Sequence, residues 1–151
     1  MFTLVLALHS WLRWAAVVTG IVATLMAFGG RTPQRAAAAD RWGRFFIIAL
    51  DIQLLLGLLL YFVLSPNTAA IFENFGAAMR DSNARFWAVE HGVLMLLAVV
   101  MAHAGRVLAR KAPTPSARQT RLMLCFTIAT IAMLAAIPWP GMANGRPLFR
   151  L

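Results

Sequence analysis

Few residues in this chain can do chemistry. It has three histidines (His9, His91 and His103), one cysteine (Cys125) and five acids, of which Asp51 and Glu90 fall inside apolar runs. Imidazole can carry a proton near neutral pH or ligate a metal, and neutral imidazole suits iron. A lone thiol makes neither an internal disulfide nor a metal site, so Cys125 reads as a small buried hydrophobe. The stretch from Arg85 to Arg106 holds Glu90, His91 and His103 among mostly apolar residues and is closed at each end by arginine. It has the length of a helix that crosses the roughly 30 Å hydrocarbon core of a bilayer. Ionisable groups are costly at that depth, so they face the inside of a bundle and mark function.

The elements that must position these groups are set by composition. Of 151 residues, 61% are apolar and only 13% charged, with a mean hydropathy of +0.74. Soluble domains are typically about 45–50% apolar and about a quarter charged, so the expected class is an all-α integral membrane protein. Spans are predicted at about 2–28, 45–64, 86–105 and 122–137, packed as an antiparallel four-transmembrane-helix bundle that makes 1–151 a single transmembrane domain. The first apolar run passes Arg13 and reaches Phe28, too long for a signal core, and reads as a span. Gly29-Gly30-Arg31-Thr32-Pro33 and Ser65-Pro66-Asn67 are read as span ends. Between spans two and three, Ile71, Phe72, Phe75 and Met79 have the spacing of a short surface helix.

Charge predicts orientation. The first and third connectors hold Arg31, Arg35, Arg41, Arg44, Arg106, Arg110, Lys111, Arg118 and Arg121, against Arg80, Arg85, Arg146 and Arg150 at the other end. The basic-rich side is normally cytoplasmic, which puts both termini on the periplasmic side of a bacterial cytoplasmic membrane. The net charge of +9 follows from these connectors and forms no nucleic-acid-binding face. Trp11, Trp14, Trp42, Trp87 and Trp139 mostly flank the spans and read as interface anchors.

In this topology His9 and His91 sit at matched depth near the outer face, on spans one and three. His103 lies about 18 Å deeper than His91 and about 120° around the helix, at another level and on another face. Two imidazoles from different helices at one depth are what a bis-histidine haem requires, and the other ring nitrogen of each needs an acceptor. The bland alternative is a pair of interhelical hydrogen-bonding histidines. Arg13, one turn from His9, and Arg85 are candidates for pairing with haem propionates, and Gly92 beside His91 would leave room for a flat ring. Arg13 and Glu90 could instead neutralise each other. Asp51 and Gln53 make a second polar level near His103, read first as an ion pair of Asp51 with Arg106 or His103 and otherwise as a proton-handling or quinone site. Gly20, Gly57, Ala98, Ala102 and Gly105 would allow close helix contact.

His9-Ser10-Trp11-Leu12-Arg13-Trp14, Asp51-Ile52-Gln53 with Gly57 and Tyr61, Glu90-His91, Ile137-Pro138-Trp139-Pro140 and Arg146-Pro147-Leu148-Phe149 together resemble a family of small bacterial four-span membrane proteins labelled cytochrome b-like. The resemblance covers nearly the whole chain. It implies haem b, with His9 and His91 in the ligand positions; it names no electron donor or acceptor, and no quinone site is carried over from it. The expectation is one non-covalent haem b per chain, with His9 and His91 on its iron. Its role would be electron transfer as a small subunit or redox partner of a respiratory or photosynthetic complex, an electron carrier rather than a stand-alone enzyme. The alternatives are a cofactor-free accessory subunit of a larger membrane complex and, more remotely, a proton-coupled transporter using Asp51, Glu90 and His103.

Overall fold

A computed structural model describes residues 1–29 and 32–149, with Pro33 by its backbone alone. Arg31 and Arg150, both counted in the charge balance, lie outside the described residues. The chain runs through α1 (Phe2–Phe28), α2 (Pro33–Leu59), the short α3 (Pro66–Glu73), α4 (Phe75–Ala78) and α5 (Ser82–Arg85), then α6 (His91–Arg110) and α7 (Pro115–Ala136). A π-helical turn, Leu60–Leu64, prolongs α2, and another, Phe86–Glu90, joins α5 to α6. Four continuous helices, Phe2–Phe28, Gln34–Leu64, Ser82–Arg110 and Pro115–Ala136, are long and apolar enough to cross a bilayer.

Three helix starts use one device. Thr32, Ser65 and Thr114 each precede a proline, and each side-chain oxygen accepts a backbone N–H three residues on. The hydroxyl caps an orphan donor, and proline costs nothing in the first turn, where its missing N–H would be unpaired anyway. Thr32-Pro33 therefore opens α2 instead of closing α1, and the first connector shrinks as Arg35, Arg41 and Arg44 join α2. Hydropathy locates only the apolar part of a helix. The run Ala36–Ala39 is strongly helix-favouring, so α2 begins about a dozen residues before the predicted span. The helix of span three likewise continues to Arg110, and that of span four starts at Pro115.

α1 packs along α2 and α6 along α7; the two hairpins meet through α1–α7 and α2–α6, which leaves α1 and α6 across the bundle diagonal. Small residues set the spacing. Ala16, Ala23, Ala27, Ala98, Ala102 and Ala129 are essentially fully buried. Phe46 and Phe126, both fully buried, meet edge to face with ring centres 6.1 Å apart. A Cβ on Gly105 would stand 2.7 Å from Cys125 Cβ, and one on Gly20 2.7 Å from the Phe46 ring, so close approach requires glycine at both positions. Thr24 and Thr130 hydroxyls, 3.0 Å apart, tie α1 to α7. Outward, Leu4, Val18, Leu25, Leu55, Val93 and Ile131 are exposed. Apolar surface this extensive on apolar helices belongs against lipid, and the chain is a multi-pass membrane protein.

The connector before α6 follows its sequence pattern in part. Ile71 and Ala78 are buried under it with Ala88, while Phe72 and Phe75 stay exposed.

Candidate functional site

The end of the bundle that carries the termini brings His9 and His91 together. His9 projects from α1 and His91 is the first residue of α6, so the pair faces across the diagonal. Their ring centres lie 6.4 Å apart with planes at 64°. His91 follows directly on the π-helical turn, whose wider winding brings Phe86, five residues back, within 5.8 Å of its ring. Such turns recur at functional sites because one inserted residue re-aims the side chains beyond it.

The orientation of His91 traces to two prolines. In a continuing helix, the carbonyls of Leu134 and Ala136 would accept from residues 138 and 140, but both are proline and have no N–H. Trp139 Nε1 takes the Leu134 carbonyl at 3.0 Å, and His91 Nδ1 donates to the Ala136 carbonyl at 2.8 Å. That bond fixes the tautomer and leaves His91 Nε2 with its lone pair, the arrangement common to metal-ligating histidines. On the other side, Gln53 Nε2 donates to the His9 carbonyl at 2.8 Å. Gly57 on α2 leaves the space His9 occupies: a Cβ there would be 3.3 Å from His9 Cε1.

A cavity of about 80 Å3 lies at the pair, lined by His9, His91, Arg13, Gln53, Trp87 and Arg146 among others. Three of its polar atoms, His9 Nδ1, Gln53 Oε1 and Trp87 Nε1, are buried without a hydrogen-bond partner among the described residues. Each such atom costs about 1–3 kcal/mol, and groups left so in native proteins are usually met by water or a ligand. The mouth is closed by the chain after α7. Arg13 Nη2 donates to the Leu148 carbonyl at 2.6 Å, Trp14 Nε1 donates to the same oxygen at 3.2 Å, and the Arg146 guanidinium lies 5.1 Å from the Trp87 ring centre.

Several expectations need correction. Arg85 does not line the cavity; it is half-exposed and bound to Glu90 at 2.7 Å. That bond also removes the expected Arg13–Glu90 pair, because the π-helical turn places Glu90 back toward Arg85. Arg146 holds the place expected of Arg85. In the sequence Arg146 stands out only as an outer-side charge and as part of the Arg146-Pro147 motif. Gly92 has nothing within 4 Å of where its Cβ would be, so it makes no room beside His91; Gly57 does this for His9. Trp87 lines the cavity, with its ring 5.7 Å from that of His91, and is no mere anchor at the interface.

Of the expected second polar level only Asp51 and His103 meet, while Gln53 belongs to the histidine cavity, where it binds the His9 carbonyl. His103 Nε2 and Asp51 Oδ1 are 2.9 Å apart, both side chains about half-exposed, whereas Arg106 pairs with Asp40 at 3.4 Å. Glu90 sits at the other end of the bundle, so the three groups of the transporter reading do not converge.

A haem makes specific demands on the donor set. With metal–imidazole bonds of about 2 Å and ring nitrogens about 1 Å from their ring centres, two opposed ligands hold those centres about 6 Å apart. The observed 6.4 Å fits. No cluster of three or more His, Cys, Asp or Glu exists among the described residues. A bare ion would thus find two protein ligands here, while a haem iron, already held by its macrocycle, needs only those two. Arg13 and Arg146 would suit two propionates. The void itself is smaller than a macrocycle, so entry would require the α1–α2 and α6–α7 hairpins to part. Comparisons of the chain with protein-family models, curated proteins and solved structures each return no match. The class is set by the fold alone: an all-α, four-helix, multi-pass membrane bundle.

Proposed function

We propose that the protein is a cytochrome b-like electron carrier of a bacterial cytoplasmic membrane, holding one non-covalent haem b between His9 and His91. One observation carries the reading: two imidazoles from diagonal helices at the separation of axial ligands, one held through Nδ1 by a backbone carbonyl so that its Nε2 keeps a lone pair. When bound, the haem would supply one-electron chemistry. The chain would set its potential through the imidazoles, the hydrogen bond to Ala136 and burial. Arg13 and Arg146 would neutralise the propionates. A centre near one face cannot carry electrons across the bilayer alone, so the role is that of a small subunit or redox partner of a respiratory or photosynthetic complex. The basic connector end would face the cytoplasm and the haem end the periplasm.

The test is a dithionite-reduced minus oxidised spectrum of the purified protein with haem extracted into pyridine. A sharp low-spin b-type band, absent from both His9→Ala and His91→Ala, is expected. A folded, colourless protein made with haem in excess would falsify the proposal. The second reading, a cofactor-free accessory subunit, would then lead. It is favoured by the small void at the histidines and by the apolar outer faces available to partner subunits.

A further inference from the structure

The opposite end of the bundle holds a second cavity, of about 430 Å3. Its walls are of two kinds. Ala27, Ala36, Ala39 and Leu122 give an apolar side; among the described residues Arg110 and Arg118 are its cations and no carboxylate lines it. The only acid nearby among the described residues, Asp40, is held by Arg106 at 3.4 Å and reached by Arg118 at 3.9 Å. One carboxylate thus faces two guanidiniums before Arg110 is counted. Arg110 has no side-chain hydrogen bond or ion pair among the described residues, and the Nε atoms of Arg106 and Arg118 are buried without a partner. Lys111 and Arg121 add to the surplus at the same end. Arg110 is exposed at the rim of the cavity, and around the partly buried Arg106 and Arg118 the deficit is of negative charge and of acceptor oxygens.

From this combination we infer that the cavity binds a phosphate ester, seated between Arg110 and Arg118. The N-terminal end of the 22-residue α7 opens onto the same space and adds its positive dipole end. Phosphate offers several acceptor oxygens to guanidinium forks, and the alanine wall suits a chain attached to that phosphate. In a membrane protein the ready source is an anionic phospholipid of the leaflet at this end, since basic pockets between membrane helices take such headgroups. A soluble phosphate would satisfy the arginines but not use the apolar wall. The inference is independent of the haem reading, for it concerns the other end of the bundle.

The experiment is native mass spectrometry of the detergent-purified full chain titrated separately with phosphatidylglycerol, phosphatidylcholine and inorganic phosphate. Phosphatidylglycerol should bind with one high-affinity site and clearly exceed phosphatidylcholine. Arg110→Gln should weaken it about fivefold, and Arg110→Gln with Arg118→Gln by more than either alone. Arg80→Gln, exposed at the other end, should change nothing. Because Arg118 also reaches Asp40, the decisive variant is Arg110→Gln, which breaks no internal contact. Saturable binding of inorganic phosphate, lost in the same variants, would keep the phosphate site and make its source soluble. Equal binding of the two lipids, or phosphatidylglycerol binding unchanged in the double variant, overturns the inference.

Discussion

Two glycines stand near the two histidines, and only one of them should matter. Gly57 faces His9, and an added Cβ would lie 3.3 Å from Cε1 and 3.9 Å from Nδ1. Ordinary carbon contacts are about 3.5–4.0 Å, so Gly57→Ala asks the imidazole to yield by a few tenths of an ångström. Gly57→Val adds two methyl groups beyond that carbon on a side chain with little rotational freedom in a helix. Overpacking of this kind costs about 1–3 kcal/mol. Falling wholly on the bound state, it would weaken haem binding from about fivefold to more than a hundredfold. The assay titrates haem into the apoprotein and follows the low-spin band. Gly57→Ala should bind nearly as the parent does, and Gly57→Val much more weakly or with a high-spin component. Gly92→Val is the matched control: it is adjacent to His91 in sequence, with nothing within 4 Å of its added carbon, and should be silent. Full low-spin haem in Gly57→Val, or equal loss in Gly92→Val, would refute the placement of His9.

Other expectations concern charge and packing. Arg146→Gln should lower haem retention and shift the midpoint potential, while Arg85→Gln, outside the cavity, should leave both unchanged; redox titration separates them. Phe126→Ala removes a fully buried ring from the slot beside Gly43 and Gly105. It should cost about 3–5 kcal/mol, read from unfolding in mixed micelles. Asp51→Leu should lower the melting temperature by stranding His103, and adding His103→Leu should recover much of the loss, because both half-exposed partners of the 2.9 Å pair are then apolar. A double variant no more stable than Asp51→Leu alone would refute the stranding of His103 as the source of the loss.

The helices, their antiparallel order and the matched depth of His9 and His91 were legible because hydropathy and the helical rise report them directly. Side-chain azimuth was not. It depends on the π-helical turn at Phe86–Glu90, which leaves no mark in the apolar pattern yet rotates Glu90 and Trp87 relative to an α-helical count. The exchange of Arg85 for Arg146 has a related cause: Arg146 reaches the cavity through a turn built by Pro138 and Pro140, and nothing in its sequence spacing sets that path. Depth and charge narrow the partner of Asp51 to Arg106 or His103, and the structure selects His103 because Arg106 is held by Asp40. Thr32-Pro33 was misread because hydroxyl–proline pairs serve equally as stops and as starts.

The bundle is two hairpins more tightly bound within than between, and the segment joining them, residues 65–81, lies at the end where the histidines meet. The α1–α2 hairpin supplies His9, Gln53 and Gly57, and the α6–α7 hairpin supplies His91 and the Ala136 carbonyl. Neither hairpin alone holds more than half of the site, so the site is a product of assembly, formed only when the second hairpin docks and the residues after α7 fold back onto Arg13 and Trp14. An incomplete chain therefore presents no closed histidine pair.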